Sequence, residues 1–175
     1  ISLLLLIASQ VSFSIESNPS ITPSNLDASL ILRAKAMHAS ALTVDAHADI
    51  EIPGNPSSYV GSDGLSKVAP EKMRAGGLDA VVMALAVGPM PRNTDGYAAA
   101  KALAQTKLEA VNKLAEDSAN NTVIALSTEE LIAAHATGKS ALILGFQNAL
   151  ILGTDVSGID ALYKSGVRVF ALTHM

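Results

Sequence analysis

The chain has 175 residues, of which 49% are hydrophobic and 3% aromatic, and its formal net charge is −4. This length suffices for one domain with a hydrophobic core, and the acidic balance without a basic patch excludes nucleic acid as an expected partner. The absence of cysteine excludes disulfides, thiolate zinc ligands and a cysteine nucleophile.

The first residues have the pattern of an export signal. Residues 2–8 form an apolar run that is too short to span a bilayer, and Ser12-Phe13-Ser14 follows as a cleavage site of the small-x-small type. We therefore expect a truncated signal peptide over residues 1–14 and a secreted or periplasmic protein, with a buried strand or helix as the alternative. Residues 15–24 are polar and broken by proline, which predicts a linker before a domain over residues 25–175.

Beyond the linker, predicted helices and strands alternate. A capping box at Ser24 and Asp27 begins a helix that ends near Ser40. The remaining helices are predicted over 69–74, 95–119, 127–137 and 157–165, and the strands over 41–46, 78–87, 122–126, 140–146 and 167–173. The helix over 95–119 has an apolar stripe that only Lys107 interrupts.

Alternation of this kind is typical of βα repetition and a parallel sheet. A complete (β/α)8 barrel takes about 250 residues, so we predict an α/β fold that is a partial TIM barrel with about five N-terminal strands and the C-terminal part missing. A five-stranded doubly wound domain is the alternative. No glycine-rich phosphate loop follows the first strand, which favours the barrel.

His47 and Asp49 follow the first predicted strand. Residues two apart in an extended strand point to the same face, and an imidazole beside a carboxylate suits a divalent metal such as zinc. Polar residues also follow two later strands, as Gln147-Asn148 and Thr173-His174. Because active sites of parallel barrels lie at the carboxyl ends of the strands, these three strand ends form the candidate site.

Four other polar residues have simpler interpretations. Asp45 shares a face with His47 and is either a supporting partner of that histidine or a satisfied buried carboxylate. Arg168 lies on a predicted buried strand, where an ion pair inside the barrel would accommodate it. His38 and His135 lie in helical segments and are interpreted as surface or packing residues.

Three blocks of the sequence resemble the membrane dipeptidase family, peptidase family M19. Residues 44–50 carry its D-x-H-x-D opening, and residues 72–80 are similar to its paired-glycine stretch before the second strand. Residues 143–149 together with 166–174 resemble its block that ends in Leu-Thr-His. The resemblance covers about residues 28–175 and implies a zinc-dependent TIM-barrel enzyme that hydrolyses dipeptides, of which this chain is the N-terminal part.

The resemblance also implies roles for individual residues. His47 and Asp49 would bind one zinc, position 147 would bridge two zinc ions, and His174 would contact the substrate and stabilise charge on the scissile carbonyl. The family has Glu at position 147, whereas this chain has Gln147. An amide lacks the negative charge that offsets the repulsion of two dications, so we expect weaker binding of the second metal and one zinc rather than two.

Three functions remain open at this point. The first is a metallodipeptidase whose later ligands lie beyond Met175, so that this part alone is not competent. The second is an inactive homologue that binds peptides, and the third is a related amidohydrolase acting on another small amide. A homodimer is compatible with all three, and the sequence does not indicate association with a membrane.

Overall fold

The computed structural model describes residues 27–55 and 57–173. The predicted signal peptide, the predicted linker, Ser24 and His174 lie outside the described residues. The chain divides into two compact units, with the boundary between Met37 and His38. Every helix in the described part is too short or too polar to reach across a bilayer.

Helices and strands alternate along the described chain, as the hydrophobic pattern predicts. The helices are α1 Ala28–Ser40, α2 Pro70–Gly76, α3 Thr94–Glu116, α4 Thr128–Ala136 and α5 Gly158–Lys164. The strands are β1 Val44–Asp49, β2 Ala80–Ala86, β3 Thr122–Ile124, β4 Ser140–Gln147 and β5 Val167–Ala171. Short 3-10 helices cover Ser118–Asn120 and Ala149–Leu152. The segment between β1 and α2 has only isolated bridges and turns in its described residues.

The five strands form one parallel sheet. β2 pairs with β1 on one side and with β4 on the other, and β5 pairs with the second half of β4. β3 pairs with residues 140–142 of β4, on the same edge of β4 that pairs with β5 further along the strand. The strands β1, β2, β4 and β5 thus form a continuous arc in chain order, which is the arrangement of a partial (β/α)8 barrel. β3 is a side strand, which the sequence pattern does not distinguish from the others.

The core lies on both faces of β2, all seven residues of which are buried. Val81, Met83 and Leu85 belong to one apolar cluster, to which α3 contributes Ala100, Ala104 and Val111. Ala80 belongs to a smaller cluster on the other face, together with Ala134 of α4. This two-sided burial agrees with the nearly continuous apolar run over residues 78–87, and each fully buried Val or Leu stabilises the fold by about 1.5–3 kcal/mol.

Helix boundaries follow from local chemistry. Asn93 caps α3 by accepting a hydrogen bond from the N–H of Gly96 at 2.9 Å. Ser127 caps α4, because its hydroxyl accepts from the N–H of Glu130 at 3.2 Å. Gly77 ends α2 in the left-handed region at φ 65°, where glycine carries no steric cost.

Gly96 is a buried glycine in the first turn of α3. A Cβ atom added there would lie 1.9 Å from the carbonyl oxygen of Pro91. The chain between the end of β2 and α3 therefore passes over this residue at a distance that only glycine permits.

Arg168 on β5 has no ion pair with the described residues, so the predicted ion pair inside the barrel is wrong. Its Nε donates to the carbonyl of Leu126 at 2.9 Å, and its Nη1 donates to the carbonyls of Tyr163 and Val167. The guanidinium also lies 4.1 Å from the centroid of the Tyr163 ring. Carbonyl dipoles and a π face stabilise this cation in place of a carboxylate.

Asp79 joins three elements at the amino-terminal edge of the sheet. Its Oδ2 accepts from the N–H and the hydroxyl of Thr43 at 2.8 and 2.9 Å, and its Oδ1 lies 2.9 Å from Nδ1 of His135. Thr43 precedes β1, Asp79 precedes β2 and His135 belongs to α4. His135 is thus a packing residue with a specific partner.

We expect Asp79→Asn to lower the free energy of unfolding at pH 7 by about 1–2 kcal/mol, because the amide loses charge-assisted hydrogen bonds. Burial raises the pKa of Asp79, but the hydrogen bonds from Thr43 and His135 outweigh it and hold that pKa below its ordinary value of 3.8. The contribution is therefore complete above pH 3.8 and is lost as the pH falls through the lower folded pKa. Urea unfolding across this range measures it, with the exposed Asp160→Asn as a control that changes stability by a few tenths of a kcal/mol at most.

Candidate functional site

The carboxyl ends of β1 and β4 lie at the same edge of the sheet, since all the strands run parallel. Asp49 pairs with Ala84 on β2, and Ala84 pairs with Gly145 on β4. Gln147 follows Gly145 by two residues, so it shares a face with Asp49. Only Ala84, Ala86 and Gly145 lie between them on that face. Ala84 and Ala86 are buried, and a Cβ atom at Gly145 would lie 3.1 Å from Val82 and 3.2 Å from Val169, so this part of the face is closely packed.

A bulge positions the end of β1. Asp45 pairs with Val81 and Ala48 pairs with Met83, so β1 has one residue more than β2 over this interval. Oδ1 of Asp45 accepts from the N–H of His47 at 3.0 Å within the bulge. This contact favours the first of the two interpretations of Asp45, that of a supporting partner of His47. The carboxylate acts on the backbone of His47 rather than on its ring.

β1 runs over Val44–Asp49, three residues later than the predicted 41–46. The shift has a physical reason: Thr43 is used in the contact with Asp79 before the strand begins. His47 and Asp49 consequently lie among the last residues of β1 rather than after the end of the strand.

The side chains of His47 and Asp49 lie together, as their spacing predicts. Nε2 of His47 is 3.7 Å from Oδ1 of Asp49, and their side chains are 38% and 21% exposed. Among the described residues, Oδ1 of Asp49 is a buried oxygen that has no hydrogen-bond donor. Such an oxygen is costly unless a cation or donor satisfies it.

These two residues fit a divalent metal. Carboxylate oxygen and imidazole nitrogen are ordinary zinc ligands. The buried Oδ1 of Asp49 has an unused lone pair and lies on the side of the carboxylate that faces His47. Within residues 27–55 and 57–173, no group of three or more His, Cys, Asp and Glu side chains converges on a metal position. His47 and Asp49 therefore make a partial set of ligands, and their role as metal ligands remains a prediction.

Gln147 and Asn148 have different surroundings at the end of β4. Asn148 has a positive φ of 82°, and its Nδ2 donates to the carbonyl of Val87 at 3.1 Å. Its N–H donates to the carbonyl of Ala171, and its Oδ1 accepts from the N–H of Leu150. Asn148 thus ties the ends of three strands together. The half-buried Gln147 side chain has no hydrogen bond within the described residues and is available to a ligand.

A cavity of about 300 Å³ lies beside Asp49. Its polar lining consists of Asp49, Glu51, Asn55, Ser57 and Lys107. Glu51 is occupied, because its carboxylate accepts from both the N–H and the hydroxyl of Ser57. A smaller cavity of about 160 Å³ lies on another side of the pair and is lined by His47, Asp49 and Tyr59, among others.

Lys107 is the residue of this site that the sequence analysis did not assign. Burial lowers the pKa of Lys107, whereas the charges of Asp49 and Glu51 raise it. The sequence did contain a sign of this position, because a lysine interrupts an otherwise apolar helical stripe.

Comparison with known proteins identifies relatives of this fold. Residues 31–175 match the model of the family described as membrane dipeptidase, peptidase family M19. No curated protein matches the chain.

Several solved structures resemble it. The probable dipeptidase PvdM from Pseudomonas aeruginosa is 22% identical with a TM-score of 0.73, over 84% of this chain and 38% of that one. A dipeptidase described as a metallopeptidase of family M19 is 17% identical with a TM-score of 0.57, over 73% and 41%. A metallopeptidase from Rhodobacter sphaeroides, liganded with a phosphinate mimic of the dipeptide L-Ala-D-Ala, is 16% identical with a TM-score of 0.52, over 82% and 43%. The chain spans about two fifths of the length of these proteins, and at these identities the likeness establishes the fold alone.

Proposed function

The chain belongs to the membrane dipeptidase family, peptidase family M19, and from this premise we propose that it forms the first half of the barrel of a zinc-dependent dipeptidase. The observation that carries the proposal is the pair of His47 and Asp49 at the carboxyl end of β1, with a buried Asp49 oxygen that no described residue satisfies. Family membership supports hydrolase chemistry at that position. The apolar run at residues 2–8 supports export to the periplasm or the cell exterior.

His47 and Asp49 would hold the metal, and a zinc ion bound there would supply Lewis-acid chemistry that activates water and polarises a carbonyl. The protein itself contributes position and charge. The Asp45 carboxylate fixes the backbone at His47, and Asn148 fixes the direction of the chain after Gln147. The cavity beside Asp49 would accommodate the scissile bond, and His174 would contact its carbonyl oxygen.

The proposed substrate is a small dipeptide. A relative of this fold is liganded with a phosphinate mimic of L-Ala-D-Ala, and cavities of about 300 and 160 Å³ flank the His47–Asp49 pair here. The test is turnover of L-Ala-D-Ala and other dipeptides by the full-length protein before and after removal of metal. We expect turnover that a chelator abolishes and added zinc restores. Hydrolysis that survives complete metal removal would exclude the proposal.

Gln147 favours a second candidate, an inactive homologue that binds peptides. The side chain lies on the same face as Asp49 but carries no negative charge. In that case we expect Gln147→Glu to raise the bound zinc from one to two equivalents and to increase kcat by about 10²-fold or more, because a bridging anion offsets the repulsion between two dications. Metal analysis and dipeptide assays of both forms measure this. An active wild-type protein that gains nothing from the substitution would exclude the inactive homologue, with Gln147→Met as the control for side-chain size.

A further inference from the structure

Lys107 occupies an unusual position on α3. The neighbouring stripe of the helix packs against the sheet through Ala100, Ala104 and Val111, all of them buried. Lys107 is half-buried on this side, whereas the other two lysines of α3, Lys101 and Lys113, are exposed. Long cationic side chains at such positions bury their methylene groups and extend the ammonium toward a polar region.

The polar region in question is the cavity beside Asp49. Lys107 lines it together with Asp49 and Glu51, and both carboxylates act electrostatically on the ammonium. Within the described residues the Lys107 side chain has no hydrogen bond and no ion pair. Glu51 is already bound by Ser57, so the ammonium acts on Asp49 through its field rather than through a contact.

We propose that Lys107 is a positioning residue whose fixed charge sets the affinity of the His47–Asp49 pair for a divalent metal. This inference rests on the metal centre of the proposed function. Without metal, the ammonium partly neutralises the two carboxylates at the end of β1. With metal, the same charge repels the dication, so it weakens binding and leaves the metal exchangeable.

The test is calorimetric titration of the metal-free, full-length protein with Zn²⁺ at low ionic strength. We expect Lys107→Met to bind zinc about tenfold more tightly than the wild type, and the difference to shrink at high salt as the charges are screened. Lys107→Arg keeps the charge and should keep the wild-type affinity. Lys101→Met removes the same charge from an exposed position near Asp155 rather than Asp49, and should have no effect.

The direction of the change separates the two roles that Lys107 can have. A merely structural lysine would distort the site when removed and would loosen the metal, whereas a charge acting at a distance tightens it. Equal or weaker zinc binding by Lys107→Met, with a wild type that binds zinc and hydrolyses dipeptides, would overturn this inference alone. Failure of every variant, including the wild type, to bind zinc would overturn the metal centre and this inference with it. As a second measurement, Glu51→Gln should weaken zinc binding severalfold, because it removes a negative charge from the same cavity.

Discussion

Under the proposed function, we expect Asp49→Asn to lower kcat/KM of the full-length protein for dipeptides by at least about 10³-fold, because it would remove the anionic ligand on which metal activation of water depends. The buried Oδ1 of Asp49 has no donor among the described residues, so an amide there neither neutralises a dication nor finds a partner of its own. Zinc content should fall in parallel with activity. Steady-state kinetics and metal analysis of the same preparations measure the two quantities together.

The neighbouring carboxylate provides the control. Asp45 accepts a hydrogen bond from the N–H of His47, which an Asn side chain can also accept, so Asp45→Asn should lose less than about tenfold in kcat/KM. Without metal, Asp49→Asn should be as stable as the wild type or more stable, since a neutral amide is less costly to bury than an unpaired carboxylate. An Asp49→Asn protein that is unfolded, or that keeps full zinc occupancy, contradicts the assignment of Asp49 as a ligand.

Gly96→Ala is expected to lower the free energy of unfolding by about 3 kcal/mol. The added Cβ would lie 1.9 Å from the Pro91 carbonyl oxygen and 2.9 Å from its carbon. These are backbone atoms, so no rotation of a side chain relieves the clash. The segment before α3 must move instead, which disturbs the cap at Asn93 and the packing of the helix on β2.

Gly76→Ala is the matched control. Gly76 is exposed in α2, and a Cβ atom there meets nothing within 4 Å. The same substitution should therefore raise the free energy of unfolding by about 0.5–1 kcal/mol, through the better helix propensity of alanine. Urea unfolding of the two variants beside the wild type gives both differences. A Gly96→Ala variant that is as stable as the wild type, or more stable, would contradict the close approach of Pro91 to Gly96.

The alternation of helices and strands was predictable because each element carries its own periodicity. β2 is recognisable as an uninterrupted apolar run, and α3 as a stripe with a 3.6-residue period. The position of β3 was not predictable, because a three-residue strand has the same local pattern whether it belongs to the arc or lies beside it. The start of β1 was wrong by three residues because a tertiary contact, Thr43 with Asp79, competes with strand pairing there.

The candidate site likewise contains residues that the sequence reveals and contacts that it does not reveal. His47 and Asp49 were visible because their two-residue spacing within one strand is local information, and Asn148 was noticed only as a polar residue at a strand end. The bulge at Asp45, the partners of Arg168 and the approach of Lys107 to Asp49 each depend on another element. Such contacts become known only when the register of the strands and the packing of α3 are known.

The left-handed backbone of Asn148 has a thermodynamic consequence for ligand binding. A non-glycine residue at φ 82° costs free energy, and here its contacts with Val87, Ala171 and Leu150 compensate for that cost during folding. The ends of β2, β4 and β5 are thereby ordered before any ligand arrives. The proposed binding of a metal or substrate at Gln147 would then require little loss of conformational entropy, so more of the interaction free energy would contribute to affinity.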